Sequence, residues 1–245
     1  MKTICVIPAR YASTRLPGKP LREIQGKPMI VRVFERASRA EKIESAVVAT
    51  DDERILEAVE KFNGRAVLTR KDHPTGTDRI AEVAQKFPDV DLIINVQGDE
   101  PLIEPNLIDN LATQFEDDPD LQMATVATRM NSIDEMKNPN NVKVVMDQNS
   151  NALYFSRSMI PFPRVENFSE VYKHIGIYAY RREFLLEFAK MKPTPLEKTE
   201  SLEQLRALEN GYKIRVIKSN DRFVGVDTEG DLELVNKIYL EEGIA

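Results

Sequence analysis

Short apolar runs alternate with helical patterns along the first half of this chain, and this alternation limits the available folds more than any other feature. Each run is apolar on both faces, as in strands buried inside a parallel sheet. The alternation predicts right-handed β-α-β units that form a doubly wound, mostly parallel α/β sheet. The predicted strands span residues 3–7, 45–49, 66–69 and 92–96, and helices are expected to begin at Pro28, Asp52 and Pro105, with another capped by Thr77.

The second half of the chain is less regular but continues the mixed pattern. It has no Ser/Gly-rich linker, repeat or low-complexity tract. We therefore predict one domain over residues 1–245, with an embedded smaller α/β subdomain at about residues 130–215. The strands expected here span residues 123–128, 142–146, 152–156, 175–180 and 214–218, and the helices span 182–190, 196–210 and 231–241.

Charge is distributed unevenly along the chain. Residues 1–39 carry a net charge of +7, whereas the whole chain of 245 residues carries −6. The overall acidity argues against a nucleic-acid binder and against a protein that docks on a membrane surface. A basic segment on an acidic body suits a small, highly charged anion. Arg32, Arg36 and Arg39 are expected to lie instead on a solvated helix face.

The chain has no apolar run long enough to span a membrane and no pattern typical of a signal peptide, so we expect no membrane insertion. Its single cysteine, Cys5, excludes a disulfide framework and a thiolate metal cluster. Both observations favour a cytoplasmic protein.

A basic loop follows the first predicted strand. Residues 8–20 contain Arg10, Arg15 and Lys19 with hydroxyl residues and a glycine. Guanidinium and ammonium groups are suited to phosphate oxygens, which makes the loop a candidate polyphosphate site. The loop lacks both GxxxxGK[ST] and GxGxxG, so it is neither a P-loop nor a dinucleotide fingerprint. A merely solvated basic loop remains the alternative at this point.

Two carboxylates follow other apolar runs. Asp99 comes after the strand at 92–96, beside Gly98, and Asp227 ends the run at 223–226. Because ligands bind beyond the carboxyl ends of the strands in open α/β sheets, the two are candidates for Mg²⁺. Gly98-Asp99 is also ordinary turn chemistry, and Asp227 is equally suited to cap the next helix.

The remaining polar candidates give weaker signals. His73 lies in a loop that leads into a helix, and His174 begins a strand, but a lone histidine is more often structural than catalytic. No cysteine or second histidine lies near either one, so metal ligation by imidazole is not expected. Glu200 and Gln204 lie four residues apart and are expected on one face of a helix. They would bind sugar hydroxyls or simply face solvent.

Seven motifs, read together, resemble those of a known family over essentially the whole chain. They are IPARYASTRLPGKPL, GKPMI, HPTGTDR, NVQGDEP, KHIGIYAYR, SLEQLRALENG and GVDTEGDL. This combination resembles the 3-deoxy-manno-octulosonate cytidylyltransferases. Enzymes of that family transfer CMP from CTP to 3-deoxy-D-manno-octulosonate (Kdo), with Mg²⁺, for lipopolysaccharide synthesis. Thr75 departs from the serine that is frequent in the family, but the hydroxyl is kept.

The resemblance implies a nucleotidyltransferase-like, Rossmann-type fold, a homodimer and a set of site residues. Segment 161–173 and its neighbours are the expected dimer interface. The implied catalytic residues are Arg15, Lys19, Asp99 and Asp227, of which Asp99 and Asp227 hold the metal. The implied CTP-binding residues are Ala9, Arg10, Ser13, Arg15, Lys19, His73, Gly76, Arg79, Gln97 and Asp99. The implied Kdo-binding residues are Gln97, Arg157, His174, Tyr178, Glu200 and Gln204, with Arg157 as the partner of the Kdo carboxylate.

Three other functions compete with this interpretation. The nearest is a CMP-sialate synthetase or another acid-sugar nucleotidyltransferase, because these share a related opening motif. A non-catalytic nucleotide-binding protein on the same fold is expected to lack a metal carboxylate, yet Asp99 and Asp227 are both present. A nucleic-acid binder would use the basic N-terminal segment, which the acidic remainder disfavours.

Overall fold

The structure is a computed structural model, and it describes residues 1–13, 15–165 and 170–244. Within these ranges the chain forms the following strands and helices: β1 (Thr3–Ala9), β2 (Glu23–Ile24), β3 (Lys27–Pro28), α1 (Met29–Ala37), β4 (Ser45–Thr50), α2 (Glu53–Lys61), β5 (Ala66–Leu68), α3 (Gly76–Gln85), β6 (Leu92–Asn95), α4 (Pro105–Asp117), β7 (Met123–Arg129), α5 (Ile133–Lys137), β8 (Lys143–Met146), β9 (Ala152–Ser156), β10 (Tyr172–Arg181), α6 (Arg182–Phe188), α7 (Pro195–Glu200), α8 (Leu205–Glu209), β11 (Ile214–Ser219) and α9 (Glu229–Glu241).

The chain divides into two compact units. Unit 1 consists of Met1–Ala112 with Arg222–Ala245, and unit 2 is Thr113–Asp221. The subdomain expected at residues 130–215 falls inside unit 2. None of the helices within the described ranges is long and apolar enough to cross a membrane.

Unit 1 is built on four parallel strands in the order β6-β1-β4-β5. β1 lies between β4 and β6, so its backbone is paired on both edges, and its side chains are buried from Thr3 to Ile7. Cys5, near the middle of β1, is fully buried. The parallel pairing and the intervening helices confirm the α/β class predicted from the apolar runs.

The N-cap of helix α3 lies two residues earlier than predicted. Thr75, not Thr77, is the N-cap: its side chain accepts from the Asp78 N–H, while the Asp78 carboxylate accepts from the Thr75 N–H. This reciprocal pair is a capping box, and the Thr-x-x-Asp spacing that produces it is present in the sequence. The prediction was wrong because it placed Gly76 outside the helix.

Two arginines of α1 are buried rather than solvated. Arg32 and Arg36 are only 5% and 8% exposed, and only Arg39 lies on the surface. Arg32 Nε donates to the Ile24 carbonyl at 3.0 Å, and Arg36 Nε donates to the Ile103 carbonyl at 2.7 Å. Arg32 therefore ties α1 to β2, and Arg36 ties it to the loop that precedes α4, so the predicted solvated helix face was wrong for these two side chains.

An apolar cluster holds the C-terminal helix of unit 1 in place. It contains Leu16, Met29 and Leu102 together with Val226, Leu232 and Val235. Tyr239 joins the cluster and donates its hydroxyl to the Pro101 carbonyl at 2.6 Å. Packing of α9 against residues from three distant segments thereby fixes Asp227, which lies just before this helix. Thr228, not Asp227, is its N-cap.

Unit 2 has a mixed sheet. β10 pairs antiparallel with β7 and with β8, β8 pairs antiparallel with β9, and β11 pairs parallel with β7. The register of β10 against β7 shifts between Ile175 and Tyr178, which marks a β-bulge. β10 is longer than its predicted span of 175–180.

The single helix predicted over residues 196–210 is two helices. α7 ends at Glu200, its C-cap Ser201 has a left-handed backbone (φ 52°), and α8 begins at Leu205. Glu200 and Gln204 therefore do not share a helix face, contrary to the prediction. The two helices are joined by a buried ion pair in which Arg206 Nε donates to Glu197 Oε2 at 2.9 Å.

Candidate active site

A cavity of about 340 Å³ lies in unit 1, beyond the carboxyl ends of β1 and β6. Its walls come from the loop after β1, the loop after β6 and the segment before α9. This is the position at which open α/β sheets bind ligands. The lining contains eight of the residues predicted from the sequence: Ala9, Arg10, Ser13, Arg15, Lys19, Gln97, Asp99 and Asp227.

Lys19 lies between the two predicted metal carboxylates. Its Nζ is 2.6 Å from Asp99 Oδ2 and 3.0 Å from Asp227 Oδ1. Burial alone would lower the pKa of Lys19, but the two carboxylates outweigh that effect and raise its pKa above the ordinary value. Arg15 adds a second cation, with Nη2 3.0 Å from Asp227 Oδ1. Two cations and two anions thus converge from segments that are far apart in sequence.

Two glycines are needed where these loops turn. A Cβ on Gly98 would lie 2.8 Å from the Pro8 carbonyl oxygen, so only glycine lets the Asp99 loop pass so close to β1. Gly18 has a left-handed backbone (φ 65°) immediately before Lys19. The Val226 N–H donates to the Asp99 carbonyl at 2.9 Å and so connects the two carboxylate-bearing segments.

Arg10 is oriented by the loop that precedes α3. Its Nη2 donates to the carbonyls of His73 and Thr75. The His73 ring lies away from solvent, with Nε2 hydrogen-bonded to Glu82. His73 therefore contributes to this region through its backbone carbonyl. Gly76 is the first residue of α3, whose N-terminal N–H groups favour an anion.

Arg79 is fully buried. Its Nη2 is 3.0 Å from Asp51 Oδ2, and its Nη1 donates to the Thr69 hydroxyl. The guanidinium thus joins the segments that follow β4 and β5. These two contacts hold the Arg79 side chain inside unit 1, between the strand ends that precede α3.

In unit 2, Arg157 and Glu200 form one hydrogen-bonded group. The Glu200 carboxylate accepts from the Ser156 hydroxyl at 2.6 Å and from the Arg157 N–H at 2.9 Å. The Arg157 side chain donates from Nε to the Glu200 carbonyl at 2.8 Å and from Nη1 to the Pro139 carbonyl at 3.1 Å. Main-chain contacts therefore hold this guanidinium while some of its N–H groups remain for a ligand.

His174 and Tyr178 lie side by side on β10, with ring centroids 5.3 Å apart. Burial of the imidazole lowers the pKa of His174 to about 3, and burial also raises the pKa of Tyr178. Both rings are therefore neutral at physiological pH. Gln204 is buried, and its Nε2 has no hydrogen-bond partner within the described parts of the chain.

Four side chains that support these groups were not predicted: Glu82, Thr125, Lys143 and Ser156. Glu82 holds His73, Thr125 contacts His174, and Ser156 binds Glu200. Lys143 donates to three carbonyls, among them that of Arg157. No local motif marks any of them, since most of these partners are far apart in sequence.

Comparison with known proteins decides the family. A family model described as cytidylyltransferase matches residues 4–214. A 3-deoxy-manno-octulosonate cytidylyltransferase of Fusobacterium nucleatum subsp. nucleatum is 52% identical, covering 100% of this chain and 99% of the relative. One of Geotalea daltonii is also 52% identical, covering 99% and 100%. The chain belongs to the 3-deoxy-manno-octulosonate cytidylyltransferase family.

A solved structure supports the same assignment. CMP:2-keto-3-deoxy-manno-octonic acid synthetase, complexed with CTP, superposes with a TM-score of 0.95 and 46% identity, over 99% of this chain and 100% of that one. The chain is therefore an enzyme. The family assignment favours a 3-deoxy-manno-octulosonate cytidylyltransferase over a CMP-sialate synthetase, a non-catalytic nucleotide-binding protein and a nucleic-acid binder.

Proposed function

We propose that this enzyme transfers CMP from CTP to Kdo and releases pyrophosphate, thereby activating Kdo for lipopolysaccharide synthesis, with the CTP triphosphate bound in the unit 1 cavity. The observation that carries the proposal is the convergence of Arg15, Lys19, Asp99 and Asp227 in one cavity. Two cations suit the phosphates, and two carboxylates suit a metal that accompanies them.

Asp99 and Asp227 are the residues that would hold Mg²⁺. Within the described residues, no group of three or more His, Cys, Asp or Glu side chains forms a metal site. A pair of carboxylates nevertheless fits this ion, because Mg²⁺ usually binds one or two protein carboxylates and completes its shell with water and phosphate oxygens. When bound, Mg²⁺ neutralises phosphate charge and lowers the pKa of a coordinated hydroxyl.

The protein's part in the reaction is positioning and charge stabilisation. The 2-hydroxyl of Kdo gives up its proton to solvent as its oxygen attacks the α-phosphorus and the new O–P bond forms. The bond between the α-phosphorus and the α,β-bridging oxygen breaks, and pyrophosphate leaves with the electron pair. Lys19 and Arg15 stabilise the charge that grows on the leaving phosphates. Arg10 is held for the same task by the carbonyls of His73 and Thr75.

We also propose that the Kdo-binding residues are Gln97, Arg157, His174, Tyr178, Glu200 and Gln204. The buried, unpartnered Nε2 of Gln204 supports the assignment, because such a donor is costly without an acceptor. We further propose a homodimer in the cytoplasm. The interface expected at residues 161–173 includes 166–169, which lie outside the described residues.

The metal assignment is tested by replacing each carboxylate with its amide. Asp99→Asn and Asp227→Asn should each lose about a hundredfold or more of the rate of pyrophosphate release while remaining folded, because both remove charge from the reaction centre. The rate is measured with CTP, Kdo and a Mg²⁺ titration, and folding is followed by circular dichroism. Asp89→Asn, an exposed carboxylate in the same unit, is the control and should match the unaltered enzyme. Near-normal rates in both site variants would contradict the assignment.

Arg157 is tested by a comparison of two Michaelis constants. Arg157→Ala should raise the KM for Kdo about tenfold or more and raise that for CTP much less, because a charge-assisted hydrogen bond to the Kdo carboxylate is lost. Since the side chain also holds the carbonyls of Pro139 and Glu200, thermal unfolding is measured in parallel. Equal changes in both constants would count against a carboxylate clamp.

A further inference from the structure

One buried hydroxyl in unit 2 meets a ring nitrogen and two carbonyls. Thr125, on β7, is fully buried, and its Oγ1 lies 3.0 Å from His174 Nε2. The same oxygen is 2.8 Å from the Ile177 carbonyl oxygen and 3.3 Å from the Ile175 carbonyl oxygen. Both carbonyls belong to the β10 bulge, where the ladder with β7 changes register. The bulge thus directs backbone acceptors at a single side chain.

Counting protons selects one arrangement of these groups. A threonine hydroxyl has one proton, and a carbonyl oxygen can only accept. If that proton pointed at His174 Nε2, no hydrogen would lie between Thr125 Oγ1 and the Ile177 carbonyl oxygen, which are 2.8 Å apart. Their lone pairs would then face each other in a buried site, which is unfavourable. If the hydroxyl instead donates to Ile177, its own lone pair is free for His174. The ring nitrogen must then carry the hydrogen and donate it.

We propose that Thr125 fixes the Nε2–H tautomer of His174, so that Nδ1 presents a lone pair that accepts a hydrogen bond from a sugar hydroxyl. Thr125 is thus a positioning residue that acts through His174. The part of this inference that concerns sugar rests on the proposed function, which places His174 among the Kdo-binding residues.

The surroundings of the ring support a neutral acceptor. His174 packs edge-on against Phe155, with ring centroids 5.0 Å apart, and beside Tyr178. These aromatic neighbours offer little stabilisation to an imidazolium, and burial lowers the pKa of His174 to about 3. A neutral ring with its hydrogen on Nε2 cannot donate from Nδ1. It therefore selects a hydroxyl, which has a proton to give, over the substrate carboxylate, which has none.

The tautomer can be read directly because the chain has only two histidines. Two-bond ¹H–¹⁵N correlation spectra of the full-length protein, labelled with ¹⁵N on the imidazole rings, distinguish protonated from unprotonated ring nitrogens near neutral pH. His73→Gln assigns the remaining pattern to His174. We expect a protonated Nε2 and an unprotonated Nδ1 in the protein without any substrate. A His174 ring protonated on Nδ1 would overturn the inference, whether or not the proposed function is right.

Three substitutions on β7 test the part played by Thr125. Thr125→Val removes the hydroxyl at nearly constant volume and should mix the tautomers and raise the KM for Kdo about tenfold, with the KM for CTP unchanged. Thr125→Ser keeps the hydroxyl and should therefore keep the single tautomer and the KM for Kdo of the unaltered enzyme. Thr128→Val is the same change on the same strand, in a side chain of the opposite face, and should alter neither.

The outcomes separate the two proposals. An unchanged tautomer in Thr125→Val would overturn the role of Thr125. A changed tautomer with an unchanged KM for Kdo would overturn the contact between His174 and the sugar, and with it that part of the proposed function. Should Thr125→Val fail to fold, the spectrum of the unaltered protein and the Thr125→Ser variant still decide the tautomer.

Discussion

At the scale of single residues, backbone geometry positions the charged groups as much as the charges do. Asp99 can face Lys19 because the backbone of Gly98 lies against β1, where a Cβ would not fit. Lys19 itself follows Gly18, which has a left-handed backbone. A side chain at either glycine would displace the loop that carries the charge. The charged residues are recognisable in the sequence, but their exact placement depends on these two small neighbours.

Gly98→Ala should therefore affect both stability and CTP binding. The added Cβ would lie 2.8 Å from the Pro8 carbonyl oxygen, so the loop must move, and we expect a loss of about 1–3 kcal/mol in the free energy of unfolding, with weaker CTP binding. Urea unfolding and calorimetric titration measure the two effects. Gly76→Ala is the matched change for stability, since its Cβ meets nothing closer than 3.9 Å. Equal stability of the two variants would refute the argument.

At the scale of elements, pairs of distant groups fix how helices and loops meet. Arg32 and Arg36 tie α1 to backbone carbonyls, and the Glu197–Arg206 pair joins α7 to α8 across the break at Ser201. Arg206 is 5% exposed and Glu197 is 9% exposed. Burial opposes ionisation of Glu197, but hydrogen bonds from Arg206 and Thr194 prevail, so its pKa falls below the ordinary 4.5.

This pair predicts a defined dependence of stability on pH. A carboxyl with a lowered folded-state pKa contributes fully above about 4.5, and the contribution is lost as pH falls through the folded pKa. Glu197→Gln should cost on the order of 3 kcal/mol near neutral pH, and its deficit should shrink in acid. Thermal unfolding of the variant and the unaltered enzyme, from neutral to acid pH, measures this deficit. Glu183→Gln, at an exposed carboxylate paired with Arg182, should cost little at any pH. A deficit that does not change with pH would contradict the assignment.

At the scale of the whole molecule, the predicted ligand sets fall into different parts of the chain. The predicted CTP-binding residues lie in unit 1, and all the predicted Kdo-binding residues except Gln97 lie in unit 2. Ligand binding stabilises the native state at the site where it occurs, by about 2.7 kcal/mol at a hundredfold excess over Kd. Each substrate therefore has its own expected region of protection.

Hydrogen exchange with mass spectrometry tests this division. CTP with Mg²⁺ should slow exchange in segments 10–20, 97–101 and 225–228, and chelation of the metal should weaken that protection. Kdo should slow exchange mainly in segments 154–158 and 174–178. Protection of the unit 2 segments by CTP alone, with none in unit 1, would contradict the assignment of the cavity.

The sequence was most informative where burial is uniform, and least where distant groups meet. The strands of unit 1 could be predicted because they are apolar on both faces, and the cavity could be predicted because charged residues follow β1 and β6. Ser201 carries no signal for a left-handed turn, so the break between α7 and α8 was missed. Arg36 was predicted on the surface because its partners, Ile103 and Glu104, lie far along the chain. Thr125 and His174, 49 residues apart, are another such pair.

Cys5 lies where its reaction with a thiol reagent reports the opening of β1. It is the one thiol of the chain, buried in the strand that is paired on both edges, and burial raises its pKa to about 12. A thiol reagent can therefore react with Cys5 only after β1 opens, and unit 2 contains no thiol that would compete. The labelling rate of the unmodified enzyme consequently gives the free energy of opening of unit 1 alone.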